Sequence, residues 1–492
     1  MKHFYKNTKN FRKNTEALSS YIIHQRWYRG KSQSNHNISI DDVIEIANEQ
    51  YIFIVTANNS IKHKYILFLI LSEQKQQNSM FNLYIDNKQL FVYDGCQNEE
   101  YCNNLWNIIQ FPDTYRNLSS FIIHQNLDLS INNSKLQDIE QSNTNIIYDD
   151  RLLLKIFRQP QPGTNPDLEI NVFLSEQGFC HVPKTVAAIR YTSDSGKIFD
   201  IAIVQELVKN AKDCWEHTVD LASKFLVQNR EENLAQRSIF SSLKTIPSTM
   251  ELSANFAKLL GQRTAELHLA LTNTNDNADF TPSKIDNLYL LNLYKGFCGI
   301  LQEVVDTLEN SDMRTNHNVI KFLEAKNYLQ THFESLTTIK TEGFRIRCHG
   351  DYHLGQILKL ETDIVILDFE GEPLRPIEER RQKQSPFKDV AGMIRSFNYA
   401  GFKAAMDLGT TDISRANYWG NIVSTTFLSE YLKVAESGKF LSQNKQQQRV
   451  LLQLFLFDKA LYELKYELNN RPDWVHIPLS GIISLLNDVI EK

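Results

Sequence analysis

The sequence predicts an α+β protein with a β-rich N-terminal cap, a small β-rich lobe containing one helix, and a large, mostly helical C-terminal lobe. Three observations lead to this prediction. Short runs of β-branched and aromatic residues fill the first third of the 492-residue chain. A second β-rich block with one helical pattern follows, and after about Ala211 the apolar residues recur at helical spacing. The expected subdomains are residues 1–130, 131–208 and 209–492.

The first block contains strand-like runs that are separated by polar Asn and Gln clusters. These runs are Tyr51–Ala57, Lys64–Leu71, Phe81–Ile85 and Gln89–Asp94. Their short length and close spacing predict an antiparallel sheet near the N-terminus.

The second block contains the runs Asn145–Asp150, Arg151–Phe157 and Ile198–Val208. Between them, Pro166–Gly178 predicts a helix, because Pro is favoured in the first turn and Gly just past the end. Residues 250–272 and 449–470 then carry apolar side chains at helical spacing, so the last part of the chain is expected to be helical.

Composition and charge narrow the class of protein. Lys+Arg 53 against Asp+Glu 58 gives a net charge of −5, which does not favour a nucleic-acid binder. The six cysteines include no Cys-x-x-Cys pair, so neither a zinc site nor a disulfide framework is predicted. The most hydrophobic stretch, Tyr65–Ser72, is too short to span a bilayer, and the polar N-terminus lacks the apolar core of a signal peptide. A cytoplasmic protein without a membrane partner is expected.

The segment Arg347–Pro373, RCHGDYHLGQILKLETDIVILDFEGEP, combines a polar turn with a buried-strand pattern that ends in a carboxylate. Asp351 and Gln356 lie in one loop, and Asp368 ends the following strand. Phosphoryl transfer from ATP needs such a set: one carboxylate accepts the proton of the attacking hydroxyl, and oxygen ligands hold Mg²⁺ against the phosphates. We therefore expect Asp351 to be the catalytic base and Gln356 and Asp368 to be the metal ligands.

Each aspartate alone would be explained as a turn or strand-end residue with local hydrogen bonds. The ordered set matches the spacing of His, Asp and Asn in the H-R-D-x-x-x-x-N loop of protein kinases, with Asp-Phe-Glu in place of D-F-G. The set therefore favours a bilobal, protein-kinase-like fold that binds ATP and Mg²⁺.

A kinase core also needs a cationic phosphate anchor on an upstream strand. Lys155 lies among apolar residues in the run Arg151–Phe157, and Glu169 on the predicted helix is its expected partner. An unpaired buried charge would be costly, which favours the pair. The alternative is a strand lysine whose ammonium group reaches solvent.

The remaining nucleotide contacts are expected on either side of this strand. Ser142, Asn143 and Thr144 lie in the preceding turn, which could cover the phosphates although it is neither a Gly-rich loop nor a Walker A motif. An ordinary hairpin turn is the alternative. The segment Val204–Val208, with Gln205, Glu206 and Val208, is the expected hinge whose backbone groups bind adenine.

Several strings closely resemble the maltokinase family, over nearly the whole chain. They are HGDYHLGQ, LDFEGEPLRPIEERR and SPFKDVAGMIRSFNYA in the centre, QRWYRGK in the cap, DDRLLLKIFR with NPDLEI in the small lobe, and LGQRTAELHLAL and KALYELKYELNNRPDWVHIPLSGI in the helical lobe. The resemblance implies an enzyme that makes maltose 1-phosphate from maltose and ATP for glycogen and α-glucan synthesis. Tyr28 and Arg29 depart from the family's cap motif, which often has Phe and Ala there.

The resemblance also implies the roles given above for Asp351, Gln356 and Asp368, and it places Glu370 and Arg375 near the acceptor pocket. It links the chain to trehalose synthase as a partner. His349 is expected to contact substrate. Neither the acceptor's exact length nor a monomeric or dimeric state follows from the sequence.

A sugar pocket needs aromatic faces and convergent polar groups. Lys459, Tyr462, Glu463, Tyr466 and Trp474 meet this description near the C-terminus. Core packing of the two tyrosines and a surface pair of Lys459 with Glu463 is the alternative, and the resemblance favours the pocket.

Two other functions remain open at this point. A glucosamine kinase or aminoglycoside-type phosphotransferase would use the same phosphate machinery with a different acceptor. A nucleotide- or glucan-binding module without turnover would be expected to lack one of the phosphate-handling residues, and this chain has all of them. Outside this set, His268 is expected to be a hydrogen-bonded core histidine, and Asp389 and Arg395 are expected to support the catalytic loop.

Overall fold

The protein is described from a computed structural model, which covers residues 15–28, 37–58, 62–85, 88–111, 114–123, 128–137, 143–228, 238–240, 245–273, 277–339, 342–372, 375–410 and 413–490. The chain forms two compact units, Met1–Lys209 and Asn210–Lys492. The first unit is rich in strands and the second in helices, which confirms the predicted α+β class.

The first unit begins with an antiparallel sheet in the strand order β1-β2-β3-β5-β4. Its elements are α1 (Thr15–Ile22), β1 (Ile38–Ala47), β2 (Gln50–Asn58), β3 (Lys62–Ser72), β4 (Phe81–Ile85), β5 (Lys88–Asp94) and α2 (Glu99–Gln110). Side chains alternate between the two faces of a strand. In β2, Ile52 and Ile54 face the core that includes α2, while Phe53 and Val55 face the core that includes α1. Because both faces are covered, the central strands are almost continuously apolar, as the sequence shows.

A second antiparallel sheet follows in the order β6-β10-β11-β9-β8-β7. Its strands are β6 (Leu118–Ile122), β7 (Ser134–Leu136), β8 (Thr144–Tyr148), β9 (Leu152–Ile156), β10 (Thr185–Thr192) and β11 (Ile198–Glu206). β6 pairs with β10, so residues that were assigned to the cap form an edge of the second sheet.

The predicted helix of the second block is α3 (Pro166–Glu176), between β9 and β10. Asn165 caps it by accepting a hydrogen bond from the backbone N–H of Asp167, and Pro166 occupies the first turn. Gly178 follows the helix with φ +71, a conformation that glycine adopts without strain. The helix therefore begins at the predicted proline and ends before the predicted glycine.

The second unit is built mainly from α-helices. They are α4 (Cys214–Gln228), α5 (Glu251–Thr272), α6 (Asn287–Glu309), α7 (His317–Glu324), α8 (Lys326–Glu334), α9 (Ile377–Arg380), α10 (Phe387–Asp407), α11 (Ile413–Ala435), α12 (Lys445–Asn470) and α13 (His476–Ile490). Its short strands are β12 (Lys212–Asp213), β13 (Ser283–Lys284), β14 (Phe344–Arg345), β15 (Ile357–Lys359) and β16 (Ile364–Ile366). The strands form the sheets β12-β15-β16 and β13-β14.

The helices of the second unit pack at close range. Gly261 on α5 lies so near α11 that a Cβ atom there would be 2.4 Å from the Phe427 carbonyl oxygen. Among the described helices, none is both long enough and apolar enough to cross a membrane.

Candidate active site

The predicted catalytic residue Asp351 lies in a loop between β14 and β15, and a buried aspartate on α10 fixes this loop. Asp389 accepts hydrogen bonds from the backbone N–H groups of His349 and Gly350, at 2.8 and 2.9 Å. Gly350 has φ +88, so the loop turns sharply at a residue without a Cβ. Burial acts to raise the pKa of Asp389, but the hydrogen bond from His268 and the other nearby donors outweigh it and lower that pKa. The ionised Asp389 carboxylate thus fixes the loop backbone through these two hydrogen bonds.

The anchor extends into the helical core. His268 on α5 lies 3.1 Å from the Asp389 carboxylate through Nε2 and 2.9 Å from the Tyr431 hydroxyl through Nδ1. His268, Asp389 and Tyr431 are all buried. This arrangement agrees with the expectation that His268 is a hydrogen-bonded core histidine and that Asp389 supports the loop.

A close helix–loop contact adds to the anchor. Gly392 on α10 faces the loop, and a Cβ atom at this position would lie 2.5 Å from the Tyr352 carbonyl oxygen. The Tyr352 hydroxyl is 2.9 Å from the Thr264 hydroxyl, and the Leu354 N–H donates to Ser396 at 3.1 Å. The loop is therefore fixed on both sides of Asp351.

Asp351 forms an ion pair with Lys459 on α12, with Nζ 3.2 Å from Oδ1. Burial acts to raise the pKa of Asp351, but the Lys459 charge and then His353 outweigh it, so its pKa lies below the usual value. Burial likewise acts to lower the pKa of Lys459, and the attraction of Asp351 and Glu372 raises it instead. Asp351 is consequently a carboxylate near neutral pH, the form that accepts a proton.

The backbones of the two predicted metal ligands lie at the same end of a hairpin. β15 pairs with β16 so that Ile357 lies opposite Ile366, and the Leu367 N–H donates to the Gln356 carbonyl at 2.8 Å. Gln356 and Asp368 therefore flank the same end of the two strands. Asp368 has φ +64, a left-handed conformation that turns the chain away from the strand. An amide oxygen and a carboxylate are donors that suit Mg²⁺.

His349, which was predicted to contact substrate, has the surroundings of a positioning residue. It is only 1% exposed, and its Nε2 lies 2.8 Å from the Leu367 carbonyl oxygen. Its ring packs against Phe369, with centroids 4.9 Å apart. His349 therefore ties the catalytic loop to the strand end that carries Asp368, and its contact with substrate stays a prediction.

The residues after Asp368 form a charged cluster. The Glu370 carbonyl oxygen accepts from Arg380 at 2.7 Å, and Arg375 pairs with Glu372. Burial acts to raise the pKa of Glu372, but Lys388 and the neighbouring cations outweigh it and lower that pKa. The Arg375 charge is thus matched within its own segment, and the predicted substrate contacts of Glu370 and Arg375 stay predictions.

The proposed sugar-pocket residues separate into two groups. Lys459, besides pairing with Asp351, lies 5.2 Å from the ring centroid of Tyr462. Glu463 accepts from Arg395 on α10 at 2.8 Å, so the alternative of a surface Lys459–Glu463 pair is not what the structure has. Burial raises the pKa of Glu463 despite this partner. The first group therefore lies near Asp351, the predicted base, and its contact with a sugar stays a prediction.

Tyr466 and Trp474 form the second group at the end of α12. Their rings lie against the guanidinium of Arg471, at 5.4 and 4.8 Å from the ring centroids. Tyr399 stacks on Trp474 at 6.4 Å. Tyr466 is 45% exposed, so it is not a core residue.

Two features near Lys459 were not predicted from the sequence: the Arg395–Glu463 ion pair and the raised pKa of Asp458. Arg395 was expected to support the loop, but its pairing with Glu463, 68 residues away, has no local signal. Asp458 directly precedes Lys459, and burial, followed by the Glu372 charge, raises its pKa to about 6. No local pattern marked Asp458, because its burial and its proximity to Glu372 arise only in the folded chain.

In the first unit, Lys155 is buried and pairs with Asp167 on α3, with Nζ 2.9 Å from Oδ2. Asn171, one turn farther along α3, also donates to Asp167 at 2.9 Å. The sequence correctly indicated an acidic partner from this helix but missed Asp167, which lies two residues before the predicted Glu169. The pairing of Glu169 with Lys155 stays a prediction.

The predicted phosphate turn is only partly described. Ser142 lies outside the described residues, and Asn143 directly precedes β8. Thr144 begins β8, and its hydroxyl accepts from the buried Arg158 at 2.7 Å. The Thr144 side chain is therefore already engaged by a structural arginine, and phosphate binding by this turn stays a prediction.

The predicted hinge follows β11. Gln205 is buried in the strand, and the Glu206 N–H donates to the Lys184 carbonyl at 2.9 Å. The Leu207 N–H donates to the Arg151 carbonyl at 2.8 Å. Val208 comes after the strand, and its N–H donates to no carbonyl of the described residues. Adenine binding by Gln205, Glu206 and Val208 stays a prediction.

No protein-family model matches the sequence. Two curated proteins that are similar in sequence are both named glucosamine kinase. The one from Streptacidiphilus jiangxiensis is 27% identical over 141 residues, which are 29% of this chain and 32% of that protein. The one from Mycolicibacterium smegmatis is 27% identical over 140 residues, 28% of this chain and 34% of that protein. The match spans about a third of each relative.

The solved structures extend the likeness to nearly the whole chain. A glucosamine kinase in complex with glucosamine, ADP and inorganic phosphate superposes with a TM-score of 0.68 at 16% sequence identity. The superposition covers 98% of this chain and 100% of that chain. Another crystal form of glucosamine kinase gives a TM-score of 0.66 at 16% identity, with 98% and 99% covered. At this identity the likeness concerns the fold, and it confirms the predicted kinase-like fold class.

Proposed function

We propose that this protein is an ATP-dependent sugar kinase. The observation that carries the proposal is the fixed loop, in which Asp389 holds the backbone around Asp351 and the β15–β16 hairpin brings Gln356 and Asp368 together. A carboxylate base and oxygen ligands for Mg²⁺, placed in this way, would meet the needs of phosphoryl transfer. The fold shared with glucosamine kinase supports the same proposal.

Each of these residues has a separate role in the proposed reaction. Asp351 accepts the proton of the acceptor hydroxyl as its oxygen forms a bond to the γ-phosphorus, and the bond from that phosphorus to the β,γ-bridging oxygen breaks, releasing ADP. Lys155, held by Asp167, binds the α- and β-phosphates of ATP. Gln356 and Asp368 would hold Mg²⁺, which would supply positive charge against the phosphates.

For the acceptor, we propose maltose, phosphorylated on its anomeric hydroxyl. The motif strings that resemble maltokinase support this choice. The charges support it too, because Asp351, Glu372 and Glu463 are each matched by a cationic side chain. A neutral sugar needs no unmatched carboxylate, whereas a sugar ammonium group does. Association with trehalose synthase and a role in α-glucan synthesis would follow from the maltose assignment.

Glucosamine is the second candidate acceptor. The curated relatives are named glucosamine kinases, and Asp458 offers a carboxyl near Glu372 whose pKa is about 6. An ammonium group next to Asp458 would favour its ionised form. This carboxyl favours an amino sugar over a neutral one.

The test is ADP release from Mg-ATP with maltose, glucosamine, glucose, trehalose and an aminoglycoside as separate acceptors, with the product identified by phosphorus NMR. An anomeric phosphate on maltose is the expected product. Turnover on glucosamine alone would overturn the maltose assignment and retain the kinase. An absence of turnover on every acceptor, in a preparation that binds ADP, would overturn the proposed kinase activity.

A further inference from the structure

A cavity of about 660 Å³ opens in the second unit, away from the residues assigned to catalysis. Residues from the C-terminal half of α11 and the N-terminal half of α12 line it, together with Phe387 at the start of α10. This volume is in the range of small-molecule sites.

The lining combines apolar walls with an excess of positive charge. Leu428, Leu432 and Leu452 contribute to the apolar part. Among the described lining residues, four side chains are basic and one is acidic: Lys433, Lys439, Lys445 and Arg449 against Glu436. Lys433 is matched by Glu430 at 2.8 Å. The remaining charge favours a negatively charged ligand.

Arg449 gives the site a directed donor. Its guanidinium lies 4.7 Å from the ring centroid of Phe240, which fixes the plane of the group. Its Nη2 atom is buried and has no hydrogen-bond partner among the described residues. A buried guanidinium nitrogen without an acceptor is costly, and a carboxylate or phosphate oxygen would satisfy it.

We propose that this cavity binds a small organic anion with an apolar body, whose carboxylate or phosphate group accepts from Arg449. The three leucines cover the apolar body. Lys439 and Lys445 supply further charge at the mouth. This site is separate from the proposed acceptor and nucleotide sites, and it does not depend on the proposed function.

The cavity walls belong to the helices that fix the catalytic loop. Phe387 precedes Asp389 on α10 by two residues, Tyr431 on α11 contacts His268, and Lys459 on α12 pairs with Asp351. A ligand that packs on these walls therefore stabilises the elements that hold the loop. We expect occupancy to slow amide exchange at His349 and Gly350, whose N–H groups donate to Asp389.

The experiment uses 1-naphthyl phosphate as probe, measured by isothermal titration calorimetry on the full chain with excess Mg-ADP. 1-Naphthoate and 1-naphthol serve as the carboxylate and the neutral analogue. We expect binding of one phosphate or carboxylate probe per chain and affinity at least about tenfold weaker for naphthol. Arg449→Met is expected to cause a similar loss, whereas Lys465→Met, which removes a cation from the exposed part of α12, is expected to cause none.

Leu428→Trp, which fills the cavity, is the second variant and is expected to abolish probe binding while thermal unfolding shows a folded protein. It also provides the test if Arg449→Met does not fold. Binding that survives Leu428→Trp, an equal affinity for naphthol, or the absence of binding would each overturn the site. Unchanged amide exchange at 349–350 in the bound protein would overturn its link to the catalytic loop.

Discussion

Two Lys–Asp pairs, one in each unit, have the same chemistry but differ in the exposure of the carboxylate. Lys155 and Asp167 are 2.9 Å apart, and the Asp167 side chain is 1% exposed and also accepts from Asn171. Lys459 and Asp351 are 3.2 Å apart, and the Asp351 side chain is 23% exposed. The enclosed pair suits an anchor that keeps its charge state, whereas the open pair leaves a carboxylate that an incoming hydroxyl can reach. Exposure of the carboxylate, and not residue type, therefore distinguishes the proposed phosphate anchor from the proposed base.

The largest expected effect comes from removing the base of the open pair. Asp351→Asn keeps the shape of the side chain but does not accept a proton as a carboxylate does, so turnover should fall by roughly 10²–10⁴-fold. ADP binding, measured by calorimetry, should remain. Asp473→Asn, which changes an exposed aspartate, is the matched control. Turnover by Asp351→Asn within a few-fold of the parent protein would contradict the assignment.

The second prediction separates the pairs by stability. Lys155→Met leaves Asp167 as a buried charge without its cation and should lower the free energy of unfolding by about 3–5 kcal/mol. Lys459→Met leaves a partly exposed carboxylate that water can reach, so the expected loss is smaller, about 1–2 kcal/mol. Urea denaturation followed by circular dichroism measures both.

The double variant Lys155→Met/Asp167→Leu is the control for this comparison. It replaces both charges with apolar groups and should recover most of the lost stability. Equal losses for Lys155→Met and Lys459→Met would show that the two pairs do not differ as described.

The third prediction concerns Asp389, which fixes the loop that carries Asp351. Asp389→Asn places an amide N–H₂ against the N–H groups of His349 and Gly350, so one of these donors loses its acceptor. The free energy of unfolding should fall by about 2–3 kcal/mol. Amide exchange at Gly350 should rise more than in the β8–β9 region of the first unit. A uniform rise across both units would argue against a specific role in the loop.

The smallest effect concerns Asp458, beside the open pair. Burial and Glu372 raise its pKa to about 6, against the attraction of Lys388, Arg375 and Lys459. Between about pH 4 and pH 6 the folded state then binds more protons than the unfolded state, so this carboxyl lowers stability as pH rises. Asp458→Asn should remove that trend and raise the free energy of unfolding at pH 7 by about 1 kcal/mol. Parallel stability–pH curves for the two proteins would contradict the raised pKa.

The sequence predicted those features that depend on local spacing. Asp351, Gln356 and Asp368 lie within one segment, and the helix at Pro166 has both a start and a stop signal. The pairing of β6 with β10 joins residues about 70 positions apart, so no local pattern placed β6 in the second sheet.

Ion pairs between residues that are distant in the sequence were also not predicted. Asp167 was missed as a partner of Lys155, because the sequence pattern does not decide which acidic side chain in the first turn of α3 faces the strand. The Arg395–Glu463 and Asp351–Lys459 contacts join elements that are separate in sequence, and only the folded chain identifies them. The resemblance to a known family indicated Lys459 as a site residue without its contact to Asp351.

The close approach of α10 to the catalytic loop has a practical consequence for anyone who modifies this protein. At Gly392 the Tyr352 carbonyl oxygen would be 2.5 Å from a single added methyl group, so the smallest possible enlargement must displace either the helix or the loop. Sequence libraries that randomise α10 should therefore lose activity at this position even for alanine, which elsewhere in a helix is the most favourable residue. The location of Asp351, the proposed proton acceptor, thus depends on the absence of one carbon atom from a neighbouring helix.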